Sequence, residues 1–182
     1  MPIDQPTQQE AGVDRVASAD GRALNETQDA DIESVARGIA LRKLTTRAYT
    51  RHELDQALQA KNVPASVREA VLDRLHEAGL IDDAAFAMDW VTSRQRRRHL
   101  SRRALSRELA AKGVERSDIA RALDSVDPGA ELTSARDVVE RKRVAMSGLA
   151  RDVQYRRLAG VLSRRGFDTA VIARVLADVL EE

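Results

Sequence analysis

Two leucines four apart, a basic residue three further on, a residue able to take left-handed backbone, and an apolar residue recur three times along this chain. The copies are Leu54, Leu58, Lys61, Asn62 and Val63; Leu105, Leu109, Lys112, Gly113 and Val114; and Leu158, Leu162, Arg165, Gly166 and Phe167. They stand 51 and 53 positions apart, a step that fits a whole supersecondary unit and not a heptad. Glycine, and less often asparagine, closes a helix just past its cap, because a Cβ makes left-handed backbone costly there. The count then pairs Leu58 with Val63, Leu109 with Val114 and Leu162 with Phe167, the apolar contact that accompanies a Schellman stop. Three such stops at near-equal spacing make the chain an array.

The intervals between stops read as helices. With 43% hydrophobic residues, only 3% aromatic ones and 32% charged ones, the composition suits an all-helical protein. Ile32, Val35, Ala36, Ile39, Ala40 and Leu44 form a stripe of spacing three and four. Thr50-Arg51-His52-Glu53 is a capping box that starts a second helix, and Pro64 suits the opening turn of a third, carrying Val67, Val71, Leu72 and Leu75 and stopping at Gly79. A second unit opens with the linker Leu80-Ile81, an Asp82 N-cap and Asp83 in the first turn, followed by Phe86, Trp90 and Val91 on one face. Ser101 caps the helix of Leu105 and Leu109, and Ile119, Leu123 and Val126 lie on the next, which ends near Asp127-Pro128-Gly129. The third unit repeats the plan with Leu132, Ala135, Val138 and Val139, an interruption near Gly148, then Leu158 and Leu162, then an Asp168 N-cap before Val171, Ile172, Val175, Leu176 and Val179. The expected fold is all-α, three tandem three-helix-bundle repeats over residues 32–80, 81–127 and 128–182.

Residues 1–31 hold seven acidic residues against Arg15 and Arg22, include Pro2 and Pro6, and lack an apolar period, so a disordered tail is expected. A solubilising extension is the favoured role; competition with nucleic acid for the basic body is the alternative. No stretch approaches the ~20 apolar residues of a membrane span. Met1-Pro2-Ile3-Asp4 lacks the parts of a secretory signal, and there is no cysteine. A cytoplasmic protein without membrane contact is expected.

From residue 32 onward 28 basic residues face 22 acidic ones. Arg94, Arg96, Arg97, Arg98, Arg102, Arg103, Arg107 and Lys112 are opposed in their own stretch only by Glu108. On one helix Arg94, Arg97, Arg98 and Arg102 would form a ridge of guanidinium groups, each able to grip phosphate or carboxylate with two donors. Exposed helices usually pair arginine with a glutamate four residues earlier, and none is present between Arg94 and Arg107, which favours a ligand surface over a solvated face. Arg141, Lys142, Arg143, Arg156, Arg157, Arg164 and Arg165 extend that surface into the third unit, with a solvated face the competing explanation.

Nothing points to catalysis. Phe86 and Trp90 would suit base stacking, but core burial accounts for them better. Asp82 and Asp83 have no third carboxylate or histidine at ligand spacing, and capping explains both. His52, His76 and His99 are scattered singly, and no Gly-rich phosphate loop is present. No metal or cofactor is expected.

The run Leu80-Ile81-Asp82-Asp83-Ala84-Ala85-Phe86-Ala87, continued by Trp90-Val91, Arg94, Arg103-Ala104-Leu105, Glu108-Leu109, Lys112-Gly113-Val114, Ile119 and Ala122-Leu123, resembles the RecX family, which regulates the recombinase RecA. Arg157-Leu158-Ala159-Gly160 and Leu162-Ser163-Arg164-Arg165-Gly166-Phe167 are similar to that family's closing motif, so the resemblance covers about residues 35 to 180. It implies an elongated, curved array of three modules, a monomer and not an enzyme. Such an array binds RecA, settles into the groove of the RecA-DNA filament and limits filament growth, ATP hydrolysis and strand exchange. DNA contact would then be weak and without strong sequence preference. Asn62 departs from the family's usual glycine, conservatively on conformational grounds, and the acidic leader has no family pattern. Two other classes stay open: a helix-turn-helix transcription regulator, which needs a recognition helix and a dimer interface, and a helical-repeat scaffold that binds only proteins.

Overall fold

The computed structural model describes residues 30–125 and 129–181, and every regular element among them is helical. In chain order these are α1 (30–44), α2 (Arg51–Gln59), α3 (Ala65–Glu77), α4 (Asp83–Arg98), α5 (Arg102–Ala111), α6 (Arg116–Asp124), α7 (Ala130–Arg143), a 3-10 turn Val144–Met146, α8 (Arg151–Arg164) and α9 (Thr169–Glu181). The tail expected over 1–31 lies outside the described residues except for 30 and 31, which already belong to α1. Val126, Asp127 and Pro128 also lie outside them. None of the described helices is long and apolar enough to cross a membrane.

The repeated motif ends helices as its chemistry requires. Asn62, Gly113 and Gly166 take φ of +58°, +76° and +87°. The amide after each donates back to the leucine carbonyl five residues earlier: Val63 to Leu58 at 3.3 Å, Val114 to Leu109 at 3.2 Å and Phe167 to Leu162 at 3.3 Å. All six of those side chains are buried, so each stop also nails the following segment to its bundle. Helix starts are equally local. Thr50 Oγ1 accepts from the Glu53 amide at 3.1 Å while Glu53 Oε2 accepts from the Thr50 amide at 3.3 Å, and Asp82, Ser101 and Asp168 accept from Ala85, Ala104 and Val171.

Three apolar clusters result. Ala36 and Ala40 of α1 meet Leu54, Leu58, Val67, Val71, Leu72 and Leu75 of α2 and α3. Phe86, Ala87 and Val91 of α4 meet Leu105, Leu109, Ile119, Ala122 and Leu123. Ala135, Val138 and Val139 of α7 meet Leu158, Leu162, Ile172, Val175, Leu176 and Val179. Three details differ from the sequence pattern. Val35 is 62% exposed, because the alanines at 36 and 40 turn α1 so that the stripe beside it faces the bundle. Ile81, expected to lead the second unit, packs in the first cluster. Pro64 takes the N-cap position of α3, one residue before its first turn.

What joins the units is a contact the sequence does not announce: the stop of one unit's second helix lies on the start of the preceding unit's second helix. Thr50 Oγ1 donates to the Lys112 carbonyl at 2.7 Å, and the Ser101 amide donates to the Arg165 carbonyl at 3.1 Å. Thr50 and Ser101 are the buried polar side chains of the described residues, at 0% and 1% exposure. A Cβ on Gly113 would stand 2.2 Å from the His52 Cβ, and one on Gly166 would stand 2.7 Å from Ser101 Oγ and 2.8 Å from the Ala104 Cβ. Both glycines are thus needed twice, for left-handed backbone and for closeness. At the first junction the Arg51 amide also donates to Asp83 Oδ1 at 2.9 Å, and Glu53 takes Lys112 Nζ at 2.6 Å and Arg47 Nη1 at 3.0 Å. Burial pushes the Glu53 carboxyl up, but hydrogen bonds from Arg47, Lys112 and the Thr50 amide outweigh it and hold the group below its ordinary 4.5.

Gly79 separates the two roles of glycine, because it has φ +68° with nothing within 4 Å of an added Cβ. Gly79→Ala should cost about 1–2 kcal/mol for backbone conformation alone. Gly113→Ala should cost about 1–3 kcal/mol more, from overpacking against His52; equal losses in urea unfolding would contradict the docking contact. Glu53→Gln should cost about 1–2 kcal/mol at pH 7. Since the folded pKa is depressed, that difference from the parent should persist above about pH 4.5 and shrink as pH falls through the lower folded value.

Candidate nucleic-acid and filament interface

The fifteen cationic residues singled out by sequence divide into two groups once their surroundings are visible. Five hold the fold together. The Arg94 guanidinium lies 4.1 Å from the centre of the Trp90 ring with its Nε 3.2 Å from Glu108 Oε2, and Trp90 Nε1 donates to the same oxygen at 2.9 Å. Arg102 donates to the Leu123 carbonyl and to Asp124 Oδ1, the latter at 3.0 Å. Lys112, besides its bond to Glu53, stands 4.4 Å over Trp90 and 5.5 Å over Phe86. Arg143 donates to the Val179 carbonyl, and Arg165 Nη1 donates to the Arg98 carbonyl at 2.6 Å.

The expected ridge of Arg94, Arg97, Arg98 and Arg102 is therefore not carried by one helix. His99 takes φ +48° and caps α4, so the helix stops at Arg98, and Arg102 begins a separate helix, α5, after the Ser101 cap. Arg94 does find a glutamate, but from the neighbouring helix at Glu108 and not from its own turn. Sequence spacing along one helix cannot reveal a partner on another.

Ten remain exposed: Arg96, Arg97, Arg98, Arg103, Arg107, Arg141, Lys142, Arg156, Arg157 and Arg164. None of them has an ion pair among the described residues. Arg96, Arg97 and Arg98 occupy the last turn of α4, where the negative end of the helix dipole favours them. Arg96 and Arg97 line an open hollow with Asp89, Thr92 and Ser93. The dipole offsets only part of three adjacent charges, so the site gains further from any anionic surface laid across it.

Phe86 is buried and stacks on the half-buried Trp90 at 5.6 Å between ring centres. Trp90 is covered by Arg94 and Lys112, so no bare aromatic face is offered to a base. Asp82 caps α4 and Asp83 receives the Arg51 amide, with burial holding the Asp83 carboxyl above its ordinary value. Among the described residues no three His, Cys, Asp or Glu side chains gather where a metal ion could sit. At the second junction the His99 ring has Nδ1 3.8 Å from Asp137 Oδ2, too long for a hydrogen bond. Burial, then the charges of Arg141 and Arg165, lower its pKa against the pull of Asp137.

Three family models match in register with the three helical units: "RecX, first three-helix domain" over 36–75, "RecX, second three-helix domain" over 82–123 and "RecX, third three-helix domain" over 130–176. A Streptomyces coelicolor protein named regulatory protein RecX is 43% identical over 178 residues, spanning 98% of this chain and 93% of its own length. A Thermobifida fusca protein of the same name is 41% identical over 169 residues, 92% of this chain and 91% of that one. The crystal structure of RecX from Lactobacillus salivarius superposes with a TM-score of 0.73 at 18% identity, over 82% of this chain and 97% of that one.

Trp90 is the chain's one tryptophan, which makes its surroundings directly observable. Glu108→Gln removes the carboxylate shared by Trp90 and Arg94, and should cost about 1–2 kcal/mol with a change in tryptophan emission. Unchanged emission and stability in fluorescence-detected unfolding would show that Arg94 is not held there.

Proposed function

The chain belongs to the RecX family, and from that premise we propose that it is a cytoplasmic, non-enzymatic regulator that binds the RecA recombinase and its filament on DNA. It restrains filament assembly, ATP hydrolysis and strand exchange in recombination and DNA repair. The observation that carries this is the uncompensated last turn of α4, where Arg96, Arg97 and Arg98 stand exposed at the middle of the array. A filament repeats its acidic and phosphate groups at fixed intervals, and units 32–80, 81–127 and 128–182, joined stop to start, meet such a lattice at several points. Several weak contacts linked in one chain bind far more tightly than any alone.

A base-reading regulator is less well supported. Helix-turn-helix proteins read bases from the N-terminal part of a recognition helix, whereas the free arginines of α4 crowd its C-terminal turn.

The test is a RecA ATPase assay on single-stranded DNA. Arg97→Glu with Arg98→Glu should raise the concentration needed for half inhibition by about tenfold or more, the loss of at least one charge-assisted contact. Helical content by circular dichroism should not change, since neither side chain has an internal partner. Undiminished inhibition by the folded double variant would overturn the assignment of this surface.

A further inference from the structure

At both junctions the carbonyl at a helix stop accepts a hydrogen bond from the residue that caps another helix, a hydroxyl at the first and an amide at the second, and the two differ in charge. At the first, Glu53 lies between Lys112 and Arg47, so a carboxylate answers the cation at the helix stop. At the second, Arg165 holds the place that Lys112 holds in the motif, and its guanidinium turns to the Arg98 carbonyl. Neither Arg165 nor the exposed Arg141 has a carboxylate partner among the described residues. Arg141 follows Asp137 by one turn of α7, on the face that meets His99. It is close enough for its charge to lower both His99 and Arg165, burial being the larger cause in each. The His99 side chain is only 12% exposed, and its Nε2 is buried with no hydrogen-bond partner. A buried ring nitrogen without a partner, beside two cations, calls for an explanation.

We propose that this junction is an anion site, in which a phosphate group bridges Arg141 on α7 and Arg165 at the end of α8, beside the ring of His99. Phosphate suits it better than carboxylate. Its oxygens point to the corners of a tetrahedron and can accept from two guanidinium groups on different helices, whereas a carboxylate holds both oxygens in one plane. Asp137, the carboxylate already present, forms an ion pair with neither arginine, and Arg165 keeps only its bond to the Arg98 carbonyl. A phosphate seated here ties α7 and α8 to the cap of α4, so its binding stabilises one arrangement of the third unit on the second. By linkage, an anion that compensates Arg141 and Arg165 also raises the proton affinity of His99. The charged groups near enough to act on the ring are Asp137, 3.8 Å away, and Arg141 from α7 and Arg165 from the end of α8.

The site is tested without RecA, so it can fail while the filament proposal stands. In the full chain, the ring signals of His52, His76 and His99 are followed by NMR against pH at constant ionic strength. The additions are chloride alone, inorganic phosphate, a short oligothymidylate, or a glutamate-rich peptide. Phosphate should raise the His99 pKa by about half a unit or more and leave His52 and His76 unmoved. A rise with the oligothymidylate as well identifies a nucleic-acid backbone as the source; a rise with inorganic phosphate alone identifies a free anion. Arg141→Ala removes an exposed side chain, so the fold should survive. The variant's His99 pKa should already be higher, and phosphate should add nothing. No rise with either phosphate probe, the same rise in Arg141→Ala, or a rise with the glutamate-rich peptide alone would overturn the proposal.

Discussion

Everything in this structure depends on the seating of one helix end upon another helix start. The carbonyl of Lys112 closes α5 and accepts the Thr50 hydroxyl that opens α2; the carbonyl of Arg165 closes α8 and accepts the Ser101 amide that precedes α5. The negative end of each helix dipole thus meets the positive end of the next, and polar groups that a terminus leaves orphaned are satisfied in a dry place. A glycine at each stop lets the two backbones approach without a Cβ between them. A helix stop seated on a helix start at both junctions gives the array a similar step each time, which is what a protein needs if it is to match a repeating partner.

The shared seating of stop on start leaves the charges free to vary. The first junction is closed by Glu53 with Lys112 and Arg47, so it works as a rivet. The second gathers Arg165, Arg141 and His99 with Asp137 at a distance, so it stays electrostatically unsatisfied. Under the proposed function that asymmetry divides the work: the first junction supplies position, and the second gains most from an anion laid against it.

Local features were legible because their causes lie within a few residues of chain. Asn62, Gly113 and Gly166 read as helix stops since left-handed backbone is a property of one residue, and Thr50, Asp82, Ser101 and Asp168 read as caps since their bonds reach three residues on. The cationic surface was half legible. Composition revealed the excess of arginine, but Arg94 and Arg102 are engaged by Glu108, Leu123 and Asp124 on other helices. The left-handed cap at His99 carried no glycine signal, and it is the feature that breaks the ridge. Val35 kept helical spacing with its neighbours yet lies outside the core, because spacing gives a face only to within a residue.

By itself the sequence determined that the chain is helical, that it repeats three times and where most helices begin and end. These are consequences of backbone stereochemistry and apolar spacing, both read in short windows. The tertiary structure alone decided which cations are spent inside and which face outward. It also decided that Thr50 and Ser101 are buried couplings as well as caps, and that one junction is neutralised while the other is not. The reason is physical: an ion pair, or a hydrogen bond across 62 positions such as Thr50 to Lys112, depends on distance in space. Only the packing of helices sets that distance.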